Sequence, residues 1–420
     1  MSWLKRLNMS STTRVVALAS AVAFATQVAF ALLMLRLFTP QDVGEFSVIS
    51  QIGFFWMTLA LAQAPLGMLA NQHVPAHIAA QQAWRASALR GVGLLPIAAL
   101  AVWFSQLSIW PALLWALLLA FCQMSWMLAQ SFTLRVGSAW QQAAVRVLPP
   151  ATAAATALTA ALLAASVGWS GPTLVLSALL GYAIGAAWLA PAFKNKTNST
   201  SLFINTPTAD KAPHQSDTRS ASLRMAHTLV DALLATAIIV VWQRLYGAQE
   251  TGWMSALLRV LGFLPAVVHM AWAQVALAKG SQAHTRETHQ DTSARTQAIS
   301  WWLGLGAFAC VVMLGLACAA ALHLEWLDAR WSGVWTYIAP LVLWQGCACL
   351  AAAFSHRPFQ TQASHAYSWA CMSLGLLQAA VLLLPVVWGR AIAADLHMAA
   401  FATVSSAGLL GLTVWLARLR

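Results

Sequence analysis

Twelve residues recur half a chain apart. The stretch Arg36-Leu37-Phe38-Thr39-Pro40-Gln41-Asp42-Val43-Gly44-Glu45-Phe46-Ser47 returns 208 positions later as Arg244-Leu245-Tyr246-Gly247-Ala248-Gln249-Glu250-Thr251-Gly252-Trp253-Met254-Ser255, with five identities and the kindred pairs Phe38/Tyr246 and Asp42/Glu250. In a chain of 420 residues that offset is half the length, so the molecule is read as two similar halves.

What each half can be follows from its apolar content. Hydrophobic residues make up 60% of the chain and charged residues 8%, too few charges to coat a water-soluble domain of this size. A helix crosses a hydrocarbon core of roughly 30 Å with about 17–25 apolar residues. Twelve such runs occur, at 15–38, 46–69, 91–107, 111–134, 147–167, 174–191, 225–242, 253–276, 298–322, 334–354, 369–387 and 398–416. The fold expected is an all-α integral membrane protein, twelve transmembrane helices in two six-helix lobes, 1–192 and 225–420, joined by a polar linker at 193–224. Six helices separate the two copies of the repeated segment. Both copies therefore cross in the same sense, and the lobes form a parallel repeat about an axis along the membrane normal.

The net charge of +12 would point to nucleic acid in a soluble protein, but here it is distributed as an orientation signal. With the N-terminus inside, 18 of the 23 basic residues fall in cytoplasmic segments, against Arg36, Arg244, Arg330 and Arg390 outside. The positive-inside rule then puts both termini of this multi-pass membrane protein in the cytoplasm, and no nucleic-acid partner is expected. A cleaved signal peptide is the weaker reading of the first run, which is too long for one and whose loss would break the duplication. The cysteines, Cys122, Cys310, Cys318, Cys347, Cys349 and Cys371, all fall in apolar runs, where they act as small apolar side chains. No disulfide framework, metal site or cofactor is implied. Trp103, Trp110, Trp169, Trp242, Trp253, Trp326, Trp331, Trp335 and Trp388 sit at outer ends of runs and are read as an interfacial belt. Gly181 and Gly185 suggest a close helix contact, and Pro65, Pro96, Pro149, Pro150, Pro265, Pro340 and Pro385 mark bends.

Function is sought in the polar groups placed in lipid. Of the acidic residues only Asp231 lies within a run, and of the basic residues only Arg259 does so clearly. An ionisable group at that depth costs from about 2.5 kcal/mol upward and normally faces a partner or a wet cavity. Arg224, His227 and Asp231, spaced three and four apart, share one helix face. His269 and Gln27, Gln51, Gln63, Gln123 and Gln345 add isolated polar groups, each of which an interhelical hydrogen bond would also explain. Together they point to a hydrated cavity between the halves, lined by the first, second, seventh and eighth helices and made cationic by Arg259. Snorkelling of the Arg259 stem to the outer interface is the competing account.

The segment 36–47 with the apolar helix after it, and above all 244–260 with Leu264-Pro265 beyond, resembles the polysaccharide export proteins. These are the O-antigen and lipid-linked oligosaccharide flippases of the multidrug/oligosaccharidyl-lipid/polysaccharide exporter superfamily. Length, helix number and duplication match over the whole chain. The resemblance implies two six-helix lobes around a central cavity and alternating access that carries an undecaprenyl-pyrophosphate-linked oligosaccharide between leaflets. Polysaccharide polymerases are the partners it suggests. Arg259 matches the basic cavity residue expected for the pyrophosphate, whereas its repeat partner Gln51 departs from a basic residue. Arg14, Arg146 and Arg224, at cytoplasmic helix ends, could receive the headgroup first, since guanidinium forks suit phosphate oxygens. Ordinary positive-inside placement also accounts for them.

No phosphate-binding loop of the Walker type is present, so the driving force is sought in the membrane. Moving one negative charge outward against a potential negative inside releases roughly 2.3 kcal/mol per 100 mV. Asp231, with His227, could instead couple entry of a proton or sodium ion. The rivals are a cation-coupled drug exporter of the same superfamily, a twelve-helix sugar porter and, as an enzyme, a membrane-embedded polysaccharide polymerase or ligase. The loop 71–90 lacks the Gly/Asp/Arg cluster that a sugar porter carries between its second and third helices, and the polymerase would need a larger outer loop than any here.

Overall fold

A computed structural model describes residues 11–62, 64–70, 74–167, 172–194, 215–269, 272, 276, 286–361, 363–389 and 392–419. Among these residues every regular element is helical. Most of the linker at 193–224, and Gln63, Trp169 and Arg390, lie outside the described residues. By internal contacts the described residues divide into two compact units: Met1–Phe38 with Glu45–Pro213, and Thr39–Gly44 with His214–Arg420.

The first unit holds α1 (Ser11–Leu37), most of α2 (Pro40–Leu61), α3 (Ala64–Ala70), α4 (Ala76–Gly93), α5 (Leu95–Phe104), α6 (Ile109–Val136), α7 (Ala139–Val167), α8 (Thr173–Ala187) and α9 (Ala190–Lys194). α7 packs on α1 and α8, and α8 also packs on α6. Small residues permit the α7/α8/α6 approach. A Cβ on Gly181 would lie 2.5 Å from the Pro149 carbonyl oxygen, and one on Gly185 2.3 Å from the Trp126 ring. The same indole donates its N–H to the Val145 carbonyl at 2.7 Å, inside the α7 stretch just before Pro149 and Pro150.

The second unit holds α10 (Gln215–Leu261), helical residues 263–269, α11 (Arg286–His323), α12 (Val334–Phe354), α13 (Arg357–Gln360), α14 (Ser364–Trp388) and α15 (Ala394–Arg418). α12 is sandwiched between α11 and α15, and α14 packs on α10. Val268, Ala353, Phe354 and Leu416 form a buried cluster with Trp301 and Tyr367 against it. Each unit repeats one tie. In the first, Gln81 on α4 donates to the Ala192 carbonyl on α9 at 2.7 Å; in the second, Gln297 on α11 donates to the Ala417 carbonyl at the end of α15 at 2.9 Å. A third-helix glutamine thus closes each bundle by satisfying a carbonyl left over at its last helix end.

Among the described residues eight helices are long and apolar enough to cross a membrane. One of them, Ala226–His269, is broken at Gly247 into two arms; the pair α4/α5, bent by 48°, forms one further span; Ala25–Leu37 and Thr173–Ala187 are shorter apolar helices. With the two arms counted separately these make twelve segments, six in each unit. Leu305, Met313 and Leu316 on α11 and Leu162 and Leu163 on α7 are exposed, large apolar surfaces of the kind a bilayer covers. The chain is a multi-pass membrane protein.

The helices overrun the apolar stretches that reveal them. α4 starts fifteen residues before the expected 91–107 run, and α10 stays helical through 243–252 apart from Gly247. An apolar run marks the hydrocarbon-facing part of a helix and is blind to its polar continuation. The second span, expected at 46–69, ends at Leu61, where Ala62 takes a positive φ of 47° ahead of α3. Trp103, Trp110, Trp326, Trp335 and Trp388 are exposed, as an interfacial belt requires. Trp242 and Trp331 depart from that expectation: both are fully buried.

The repeated segment has a geometric reason. The first turn of α2 belongs to the second unit and crosses the second arm of α10 backbone to backbone. A Cβ on Gly44 would lie 1.9 Å from the Ala248 carbonyl oxygen, and a Cβ on Gly252 1.8 Å from that of Pro40. Gly44 and Gly252 are repeat equivalents, and so are Pro40 and Ala248. The crossing is therefore self-complementary about a local pseudo-twofold, and only glycine fits at its centre. Thr39 and Asp42 cap α2 reciprocally: the Thr39 hydroxyl donates to the Asp42 carboxylate at 2.6 Å, and the Asp42 amide donates back to Thr39 Oγ1 at 3.2 Å.

Candidate functional site

The face read from His227 and Asp231 is a defined cluster in the second unit. Both lie on the first arm of α10, and His227 Nε2 stands 3.2 Å from Asp231 Oδ2. Close packing of α14 on that arm adds to them. The Tyr367 ring meets the imidazole edge-on with centroids 5.8 Å apart, and the Cys371 thiol, one turn further along α14, lies beside both His227 and Tyr367. The imidazole is half-buried, with 19% of its side chain accessible, whereas the carboxylate is 61% accessible. An open carboxylate backed by an imidazole, a phenol and a thiol can take and release a proton or hold a small cation. Among the described residues no three His, Cys, Asp or Glu side chains converge as ligands for a metal ion.

The other residues singled out are spread over both units. Arg259 is half-buried on the second arm of α10, twelve residues past Gly247, and it makes polar interactions of its own. Gln51, its repeat partner, is half-buried midway along α2 in the first unit. Arg146 lies two turns into α7 and folds back on that helix, its guanidinium donating to the Gln142 carbonyl at 2.9 Å. Arg14 and Arg224 lie on α1 and α10, and their side chains are outside the described residues. Other basic residues serve helix ends: Arg90 donates to the Leu61 carbonyl at 3.4 Å, Arg135 to that of Met68 at 3.1 Å, and Arg357 to that of Leu419. Cations near helix C-termini satisfy leftover carbonyls and complement the helix dipole.

Sequence reasoning missed two partners in the cluster, Tyr367 and Cys371. Their spacing of four on an apolar helix gave a weak signal, since a tyrosine and a cysteine there read as packing. It also missed His269, whose Nδ1 lies 2.8 Å from the Ser355 hydroxyl, as half of a pair. That hydroxyl donates to the Ala352 carbonyl at 2.8 Å, so His269 must carry its proton on Nδ1.

No protein-family model matches the sequence, and no curated protein matches it. Solved structures do. The lipid II flippase MurJ in an inward closed conformation superposes with a TM-score of 0.60 at 10% identity, over 96% of this chain and 86% of that one. A MATE protein in complex with MaL6 gives 0.55 at 12% identity over 96% and 95%, and MATE in a bent conformation 0.51 at 12% identity over 97% and 95%. The fold is that of the MATE and MurJ transporters. At 10–12% identity the MATE and MurJ likeness carries architecture and no residue roles. What this chain's version of the fold handles is decided by its own polar groups.

Proposed function

We propose that the chain is a flippase of the multidrug/oligosaccharidyl-lipid/polysaccharide exporter superfamily. It moves an undecaprenyl-pyrophosphate-linked oligosaccharide from the cytoplasmic to the periplasmic leaflet of a bacterial inner membrane by alternating access, for surface polysaccharide assembly. Its two lobes are 1–192 and 225–420, and both termini are cytoplasmic. The single observation that carries this reading is Arg259, a half-buried guanidinium deep in the second arm of α10 in a chain with hardly any other charge at that depth. A guanidinium offers a fork of donors that pairs with two phosphate oxygens at once. Arg14, Arg146 and Arg224 receive the headgroup at the cytoplasmic side, and Gln51, the repeat partner of Arg259, contributes a neutral amide. A relative in shape, MurJ, is named a lipid II flippase, which is a lipid-linked cargo of the same kind. The membrane potential drives the step, since each negative charge carried outward releases roughly 2.3 kcal/mol per 100 mV.

A second reading is a cation-coupled drug exporter, which the fold fits equally well. The observation in its favour is the open Asp231 carboxylate with His227, Tyr367 and Cys371 behind it. Complementation separates the two. In a host lacking its own flippase, the wild-type chain restores surface polysaccharide and Arg259→Ala does not, although the variant protein reaches the membrane in equal amount. Full polysaccharide with Arg259→Ala returns Arg259 to the snorkelling account, and drug resistance without polysaccharide from the wild type establishes the exporter.

A further inference from the structure

The end of the second unit where α10 breaks holds a polar network that the candidate site does not use. Trp242 and Tyr246 lie on the first arm and Glu250 on the second, with Gly247 between them at φ 82° and ψ −179°, a backbone conformation that is essentially glycine's alone. Tyr337 on α12 touches both arms. Its hydroxyl accepts the Trp242 indole N–H at 3.2 Å and donates to Glu250 Oε2. Tyr337 and Trp242 are fully buried.

His397, in the first turn of α15 and 3% exposed, completes the network. Its Nε2 is 3.1 Å from the Val381 carbonyl of α14, and its Nδ1 is 2.9 Å from the Tyr246 hydroxyl. A carbonyl only accepts, so Nε2 carries the hydrogen. In the neutral ring Nδ1 is then the acceptor, and Tyr246 donates to it. The Trp242 indole stacks on the imidazole with centroids 5.0 Å apart at 23°. The titratable groups around the ring are Tyr246 and Glu250 from α10, Tyr337 from α12 and Asp395 from its own helix; α14 brings the Val381 carbonyl. Each hydrogen in the network has one acceptor as long as His397 is neutral.

We infer that this network is a proton-operated latch on the broken helix. A proton on His397 puts an N–H where Nδ1 had a lone pair, and the Tyr246 hydroxyl must turn to accept it. Its own hydrogen then needs a new acceptor. Two carboxylates act on Tyr246 electrostatically, Glu250 more strongly than Asp395, and Glu250 is the one already tied to Tyr337. The carboxylate has a second oxygen free to accept, but the Glu250 side chain must swing toward Tyr246 to use it; that swing pulls Oε2 off the Tyr337 hydroxyl, and the tie between α12 and the second arm opens. The angle at Gly247 is then free to change, and Arg259 rides on the arm that moves. The latch concerns the helix break and does not depend on the cargo.

Hydrogen–deuterium exchange of the full chain in nanodiscs reads the latch directly, with labelling times scaled for intrinsic exchange. Between pD 7.5 and a value about two units or more below the ordinary imidazole pKa of roughly 6.5, low enough to place a proton on a ring this buried, exchange of the 243–256 amides in the wild type is expected to rise about tenfold or more. His397→Gln, which cannot take the proton, is expected to lose that rise. Tyr337→Phe is expected to exchange fast at both values, and Asp395→Asn to behave as wild type. Equal exchange at both values in the wild type overturns the latch without any variant. So does a full rise in His397→Gln, or loss of the rise in Asp395→Asn.

Discussion

Replacing Gly252 or Gly44 by alanine tests the duplicated architecture at its tightest point. The added methyl at Gly252 would sit 1.8 Å from the Pro40 carbonyl oxygen and 2.5 Å from its carbon, and at Gly44 1.9 Å from the Ala248 oxygen. Ordinary contact begins near 3.4 Å, so the chains must part by 1.6 Å and 1.5 Å respectively. The obstacle is backbone on both sides, with no side chain to swing away. Overpacking a core costs typically about 1–3 kcal/mol, and a rigid obstacle places these two at about 3 kcal/mol or above. For a unit of this size that corresponds to a loss of roughly 6–12 °C in melting temperature. The assay is thermal denaturation in detergent followed by gel filtration, with Gly306→Ala as control. Gly306 lies inside α11 with nothing within 4 Å of a built Cβ, so its replacement should be neutral or stabilising by up to about 1 kcal/mol. Both crossing variants share one contact, so the double variant should fall short of the sum. If Gly44→Ala and Gly252→Ala melt with the wild type, the backbone crossing and the pseudo-twofold inferred from it are wrong.

Three further outcomes are expected. Gly247→Ala forces a side chain into a glycine-only conformation and should cost about 1–3 kcal/mol in the same melting assay. Trp126→Phe removes the donor to the Val145 carbonyl at 2.7 Å and leaves that acceptor without its partner, a loss of about 1–3 kcal/mol that should release α7 from α6 and raise proteolytic cutting near 137–145. Asp231→Asn removes the charge from the open cluster while keeping its shape; if ion entry drives transport, uptake of protons or sodium with cargo should vanish while the protein melts normally, and unchanged transport dismisses Asp231 from coupling.

Much of the architecture was legible because lipid enforces it. The α12 segment matched its apolar run at both ends, 334–354, since its polar neighbours begin where the hydrocarbon stops. The breaks were less legible. Gly247 looked like part of a loop between two runs, but the structure shows helix on both sides with one residue turned, because Trp242, Tyr246 and Glu250 find partners on α12 and α15 that no local pattern reveals. The repeat announced that Gly44 and Gly252 correspond, but not that each occupies a contact with the other's segment. His227 and Asp231 were visible through their spacing on one helix. Tyr367 and Cys371 were not, because a pairing across two helices leaves no period in either. Trp242 was misplaced for a related reason: tryptophan at a helix end satisfies the same pattern whether its N–H meets water or a buried tyrosine.

The most direct measurement is reconstitution of the purified chain in proteoliposomes with a lipid-linked oligosaccharide bearing an undecaprenyl pyrophosphate, under an imposed potential. Transfer to the leaflet facing the positive side should speed up as the potential grows, stop when it is collapsed, and be lost in Arg259→Ala. Transfer at the same rate with the potential collapsed and with Arg259→Ala would contradict the account.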